Sequence, residues 1–421
     1  MNTKPCHSAG AAVAFKPADI LLPARGTDYS KWSVIACDQY TSQPEYWERA
    51  ERAVGGAPST LRLVLPEAYL DSPGLEKRID SINLAQKEYL DFGLFEEYKD
   101  SMVYVRRIQS DGSLREGLVG AIDLEEYDYL PGSQSQVRAT EATVAERIPP
   151  RLKIRQGACL ELPHIMILID DPQKSVIEPL GGAELEKLYD FNLMLGGGSI
   201  SGYLVPQAEL SRVNGALSRL LERCPMLFAM GDGNHSLATA KEYYNRLKAE
   251  NPGADLSRHP ARYALCEIVN LHSPALRFEA IHRIVFTDCP ERLVWALERE
   301  LGLSCEPSEL SLELLTGGTE KRLYIHKPTA KLAVGCLQAF LDGFLKENGG
   351  RIDYIHGEEV VKELSARPGA VGFILEPMEK SQLFPAVMAD GALPRKTFSM
   401  GHADDKRFYL EARRIAEVIK L

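Results

Sequence analysis

Six consecutive residues, Gly231-Asp232-Gly233-Asn234-His235-Ser236, gather two glycines, an acid, an amide, an imidazole and a hydroxyl. Glycines let a backbone approach a phosphate closely. Asp232 suits the holding of a cation or the acceptance of a hydroxyl proton, and His235 supplies a further donor. Ahead of the turn, Met226 to Met230 reads as a short apolar strand. Behind it, Leu237, Ala240, Tyr244 and Leu247 fall on one helical face. The turn therefore joins a strand to a helix N-terminus, whose unpaired N–H groups and positive dipole end receive anions. On this reading Gly231, Gly233, Asn234 and Ser236 hold phosphate while Asp232 and His235 do chemistry. Spacing alone fits equally a plain turn in which Asp232 or Asn234 caps the helix. No Walker-type lysine pattern accompanies it.

A second concentration lies upstream. Arg138, Arg147, Arg151, Lys153 and Arg155 place five basic side chains within 18 residues of an otherwise acidic chain. Guanidinium forks match phosphate oxygens, which nominates Arg138, Arg151 and Arg155 as phosphate ligands. Among them stand Glu141, Glu161 and the Asp170-Asp171 pair, oxygen donors of the kind Mg²⁺ takes. Glu141 and Asp170 are the expected metal ligands. The competing interpretation is a solvated charged helix with internal ion pairs. Leu195 to Gly202 is the densest glycine stretch, and Gly197, Gly198 and Ser199 suit an anion nest or, equally, a flexible linker. Asp38, at the end of a predicted strand Trp32 to Ala36, is a further candidate acid. The adjacent Cys37 reads as a buried thiol.

The elements that must position these groups alternate. Strands are expected at His164 to Ile169, Tyr263 to Leu271, Ile281 to Phe286, Arg322 to His326 and Val371 to Leu375. Runs at Met102 to Gln109 and Leu114 to Leu124 flank Asp111-Gly112 and predict a hairpin. Helical patterns intervene near 183–194, 207–222, 237–249, 290–301, 331–347 and 404–420. Alternation of this kind predicts α/β or mixed α+β layers. At 421 residues, two domains are expected. The weakest stretches for a boundary lie near Cys289-Pro290 and Gly317-Gly318.

A net charge of −10 speaks against coating nucleic acid, which needs a basic stripe. Eight scattered cysteines contain no C-x-x-C pair, so neither a zinc ribbon nor a redox motif is indicated. No run approaches a membrane span and the N-terminus lacks an apolar signal core, so the cytoplasm is expected. A small-molecule substrate is the expected partner, and self-association as a homodimer is left open.

Gly231 to Ala240 resembles the (A/G)-D-G-H-H-R-x-x-T-A signature of the family catalogued as domain of unknown function 1015. That signature is itself similar to the phosphate-gripping turn of the ParB/sulfiredoxin superfamily, which includes free-serine kinases. Asn234 and Ser236 stand where the signature has His and Arg. Arg138, Glu141, Thr143, Arg151 and Leu152 are similar to its H-E-x-T…D-R-L stretch. Asp38 stands near a P-P-Y-D-like element, and Glu279 with His282 near a P-T-H-R element. The resemblance implies a ParB/sulfiredoxin-like core with large insertions over 1–290 and a smaller α/β domain over 291–421. It also implies phosphoryl transfer to a small hydroxylated metabolite, free L-serine in its sharpest form, with pyrophosphate or a nucleotide as donor and Mg²⁺ assisting. Asp38 would then be the general base. The alternative is a non-catalytic nucleotide- or phosphate-binding module for a protein partner. A sulfiredoxin-like redox enzyme would need a cysteine inside the turn, and none lies there.

Overall fold

The structure is a computed structural model that describes residues 12–41, 43–70, 72–130, 132–142 and 147–416. Thr143, one of the residues matched by resemblance, lies outside the described residues. The chain forms two compact units. One comprises Met1–Ala139, Thr143–Leu276 and His402–Leu421, and the other Thr140–Ala142 and Arg277–Gly401. The division thus falls at Leu276, ahead of the expected 290, and the last stretch of chain returns to the first unit. The reason is strand pairing. His282–Phe286 lies between Arg351–Ile355 and Ala370–Ile374 in a six-stranded sheet, which binds the residues before Pro290 to those that follow.

In the first unit the strands that matter are β1 (Phe15–Lys16), β2 (Val103–Ile108), β3 (Leu114–Asp123), β4 (Tyr127–Asp128) and β5 (Val137–Arg138). They are followed by β6 (Met166–Ile169), β7 (Glu186–Asn192), β8 (Ser199–Leu204), β9 (Phe228–Asp232) and β10 (Tyr263–Asn270). They form one ten-stranded mixed sheet in the order β7-β8-β2-β3-β10-β6-β9-β5-β4, with β1 paired to β3. The hairpin expected around Asp111-Gly112 is β2–β3, in register from Val103↔Val119 to Ile108↔Leu114. The central strands β6 and β10 are buried almost throughout, as their unbroken apolar runs require of strands covered on both faces.

Helices cover the sheet: α1 (Pro44–Val54), α2 (Leu75–Asp91), α3 (Ile148–Gln156), α4 (Gln207–Arg223) and α5 (Asn234–Glu250). One core joins Val213 and Leu217 of α4 and Leu237 and Tyr244 of α5 to Ile167, Phe228 and Ile268. A second packs Trp32, Trp47, Val103, Val119 and Leu265 against Phe408, Leu410 and Ala412.

Three expected elements are replaced. The 183–194 segment is strand β7, recruited as an edge partner of β8. Around 32–36 there is a helical turn, Tyr29–Trp32, and a single bridge from Ile35 to Phe408. The expected 404–420 helix is absent over its described part: after the short helical turn Ala403–Asp405, residues 406–416 run without helix, because their charged side chains find buried partners across the chain. Arg407 pairs with Glu267 at 2.9 Å and Glu411 at 2.6 Å, and Arg413 with Glu161 at 3.0 Å. Within the described residues, no helix is long and apolar enough to cross a membrane.

Candidate functional site

The turn after β9 is built by two backbone devices. Between Met230 and Asp232 the register against β6 shifts, which ends the ladder with Asp232 opposite Met166. Gly233 then adopts the left-handed conformation (φ 78°) as the N-cap of α5. A Cβ there would sit 3.1 Å from Ile165 Cα and 3.5 Å from the His164 ring, so glycine permits both the turn and the close approach. The strand–turn–helix arrangement expected from the sequence is present.

His164 is the centre of the site. It is buried ahead of β6, with Nδ1 2.9 Å from the Tyr409 hydroxyl. Its Nε2 lies 3.3 Å from Ser236 Oγ and 3.5 Å from Asp38 Oδ2. Burial opposes the imidazolium, but the Asp38 charge and hydrogen bond, with Asp232 and Glu67 nearby, outweigh it and raise the His164 pKa. Burial likewise opposes the Asp38 carboxylate, yet His164, a hydrogen bond from Gln39 and the Lys406 charge hold it well below the usual carboxylate range. The two form a charged pair.

Asp232 meets a residue from the far end of the chain. Lys406 Nζ is 3.2 Å from Asp232 Oδ2, and both side chains are largely covered. Asp232 Oδ1 accepts the Gly233 N–H at 2.9 Å. Lys406 is held in place by its own backbone. Arg107 donates to the carbonyls of Lys406 and Asp404, and Arg115 to that of Asp405 at 2.9 Å. Three residues after Lys406, the Tyr409 hydroxyl accepts the Cys37 N–H at 3.1 Å. Ser236 carries no cation where the signature has Arg, and Lys406 brings one to the same turn.

His235 opens α5. Burial, then the Arg151 and Arg147 charges, push its imidazole down to about 4 against the opposing Asp38, so it is neutral at pH 7. Asn234 Oδ1 is buried without a hydrogen-bond partner. Arg151 and Arg155 lie four residues apart on α3, which packs on α5 and opens with Pro149 and Pro150 in its first turn. Arg151 pairs with Glu67, and Arg155 with Glu161 at 2.7 Å. A cavity of about 160 Å³ is lined by Arg151, Arg155, His164, Ser236, Cys37 and Tyr409, among others. Burial and the neighbouring Asp38 push the Cys37 thiol up to about 12, so no thiolate is available near neutrality.

Asp38, Asp232, His235, Gly231, Gly233, Asn234, Ser236 and Arg151 are thus brought to one neighbourhood, with Arg155 on the cavity wall. Arg138 is not. It pairs with Ala229 in mid-strand, and its Nε donates to the Ser135 carbonyl at 3.0 Å. Ser135 precedes β5, which runs parallel to β9, so the guanidinium reaches back toward the strand entry rather than the Asp232 exit, and burial lowers its pKa.

Asp170 follows β6 at the end remote from Met166, and pairs with His272 at 2.6 Å. Glu141 belongs to the second unit, where its carboxylate accepts the Lys396 N–H at 3.2 Å. Asp170 thus lies at the other end of β6 from Asp232, and Glu141 is engaged within its own unit. Glu161 is saturated by Arg155, Arg413 and the Leu265 N–H, and Asp171 by the N–H groups of Ser175 and Val176. The described residues contain no group of three or more His, Cys, Asp and Glu gathered for a metal ion.

Gly197, Gly198 and Ser199 close the β7–β8 hairpin. A Cβ on Gly197 would strike Phe408 at 2.5 Å, and one on Gly198 the Ile108 carbonyl at 2.1 Å. Protein, not ligand, fills the space those glycines leave. His282 accepts the Leu375 N–H at 3.2 Å within the second unit and is a structural residue of that sheet.

Lys406 and Tyr409 were missed by sequence reasoning, because a helical interpretation of 404–420 gave them no target. His164 was noted only as the start of a strand. The residue before an apolar strand that ends beside a glycine turn was the signal available.

The family model described as "Protein of unknown function (DUF1015)" matches residues 21–366. No curated protein matches. Three solved structures align with the chain at low similarity. A free serine kinase in complex with AMP aligns at 13% identity and TM-score 0.38, over 69% of this chain and 93% of that one. A conserved hypothetical protein from Pyrococcus furiosus aligns at 12% identity and TM-score 0.35, over 70% and 94%. SbnI from Staphylococcus aureus, truncated at its C-terminus, aligns at 9% identity and TM-score 0.37, over 67% and 82%. The family match spans most of the chain, which therefore belongs to the DUF1015 family.

Proposed function

We propose that this family member transfers a phosphoryl group to the hydroxyl of a small metabolite, with pyrophosphate or a nucleotide as donor. The observation that carries the reading is the Lys406–Asp232 pair at the N-terminus of α5, beside the His164–Asp38 pair and a cavity. Phosphoryl transfer needs positioning and charge neutralisation more than covalent help. The N–H groups opening α5 receive phosphate oxygens. Lys406 and the His164 imidazolium supply positive charge, and neutral His235 donates a hydrogen bond without adding to it.

Asp38 is committed to the buried His164, whereas donor phosphate draws Lys406 toward itself and so frees Asp232 to accept the hydroxyl proton. The hydroxyl oxygen forms its bond to phosphorus as the bridging P–O bond breaks, and phosphate or a nucleoside phosphate departs. Asp232 and the unpartnered Asn234 Oδ1 are hard oxygen donors that fit Mg²⁺ carried on the donor phosphates; the ion would neutralise charge there.

Free L-serine is the first acceptor to test, since the motif resemblance implies it. Purified protein is incubated with Mg²⁺, L-serine and ATP, ADP or pyrophosphate, and phosphoserine is sought by ³¹P NMR. Product with any donor supports the serine form. Its absence with all three removes serine.

A further inference from the structure

The cavity beside His164 has walls that discriminate among acceptors. Leu63, Val64, Leu65, Ile154, Leu162 and Ile165 are among its many apolar lining residues. Its charged and amide groups are already engaged with one another. Glu67 is paired with Arg151, and Glu161 with Arg155 and Arg413. Gln86 Oε1 accepts the N–H groups of Cys159 and Leu160, both at 3.0 Å. No carboxylate of this wall is left to receive an ammonium group. Bringing one in would bury an uncompensated charge or break an existing pair, either of which costs several kcal/mol. Among the described residues, one polar atom of the wall is unmet: Arg155 Nε, buried with no acceptor. It asks for a single oxygen.

We infer that the acceptor is a hydroxylated carboxylic acid with a hydrocarbon body and no ammonium group. The hydrocarbon fills the apolar part of the chamber, the carboxylate meets Arg155 and the hydroxyl faces His164 and Ser236, at the side where α5 begins. The inference rests on the phosphotransferase reading and names its substrate class. The volume, about 160 Å³, matches the roughly 150 Å³ apolar cavity that holds a benzene-sized group, so about six carbons are accommodated.

The test is a panel of acceptors with Mg²⁺ and pyrophosphate or ATP, scored by ³¹P NMR and kcat/KM: L-serine, glycerate, 3-hydroxybutyrate and 3-hydroxyhexanoate. Chain length raises kcat/KM, and 3-hydroxyhexanoate exceeds L-serine by about tenfold or more, the effect of one or two well-buried methylenes. Val64→Phe and Ile154→Phe, checked for folding by their thermal transitions, narrow the chamber and reverse the order of 3-hydroxyhexanoate and 3-hydroxybutyrate. L-serine as the best acceptor overturns the inference and leaves the phosphotransferase reading standing. An order untouched by both variants also overturns it. Transfer to no acceptor with either donor overturns both.

Discussion

Two glycine turns look alike on paper and differ in what lies opposite them. Gly233 and Gly198 share a φ of 78°, and each sits where a strand meets a turn. Opposite Gly198 stands a backbone carbonyl of its own sheet, and opposite its neighbour Gly197 a phenylalanine ring. Opposite Gly233 stand Ile165 and the edge of the His164 ring, with Asp232 and Ser236 on either side. One turn lets protein approach protein. The other lets charged and hydrogen-bonding groups converge around an open helix end. Glycine therefore marks close approach, and the identity of the approaching group decides whether the approach is chemical.

The comparison breaks first at the glycines. Gly198→Ala forces a left-handed alanine against a fixed carbonyl, at a cost of roughly 2–4 kcal/mol from strain and overpacking together. Urea unfolding should show that loss, while turnover per folded molecule stays near wild type. Gly233→Ala costs less stability, roughly 1–2 kcal/mol, but should lower turnover through the displaced turn. Equal turnover losses in both variants would erase the distinction.

Asp232→Asn should lower kcat at least about a hundredfold, as expected for losing a proton acceptor, with the thermal transition little changed. Wild-type turnover in this variant removes Asp232 from the mechanism. Lys406→Met should lower kcat/KM about tenfold, the loss of one charge-assisted contact, and Lys406→Arg should restore part of it. Were Lys406 only a structural tether, the methionine variant would lose stability and keep its affinity for pyrophosphate.

The smallest effects are in pH. The His164 pKa is raised in the fold, so the stability its imidazolium lends is present below about 6.5 and lost as pH rises through the folded value. His235 is depressed to about 4, so the unfolded chain binds its proton more readily and stability falls as pH drops from about 6.5 toward 4. Thermal transitions followed from pH 4 to 9 should lose the upper slope in His164→Gln and the lower slope in His235→Asn. Slopes unchanged by these substitutions would reassign both titrations.

Much of this was written locally. The β2–β3 hairpin follows from alternating runs around Asp111-Gly112, and β9 with α5 from an apolar strand, two glycines and a helical stripe. Hydrogen bonds in such elements close within a few residues, so residue order determines them. The mixed α/β class and the strand–turn–helix arrangement at Asp232 were legible for that reason. Arg138 and Arg151 look alike in sequence, yet Arg151 lines the cavity and Arg138 does not, because a guanidinium's direction depends on the strand or helix that bears it.

The segment after His402 shows where local reasoning stops. Arg407 and Glu411 stand four apart, as in a helix, yet Phe408, Leu410 and Ala412 alternate with period two, as in a strand. Both patterns are real. The choice fell to Glu267, Glu161, Arg107 and Arg115, buried charges more than a hundred residues away whose desolvation demands partners. Sequence alone determined that a strand, a glycine turn and a helix N-terminus meet at Asp232. Tertiary structure decided which cation stands beside it, because Lys406 reaches Asp232 only once distant arginines have pinned the chain that carries it.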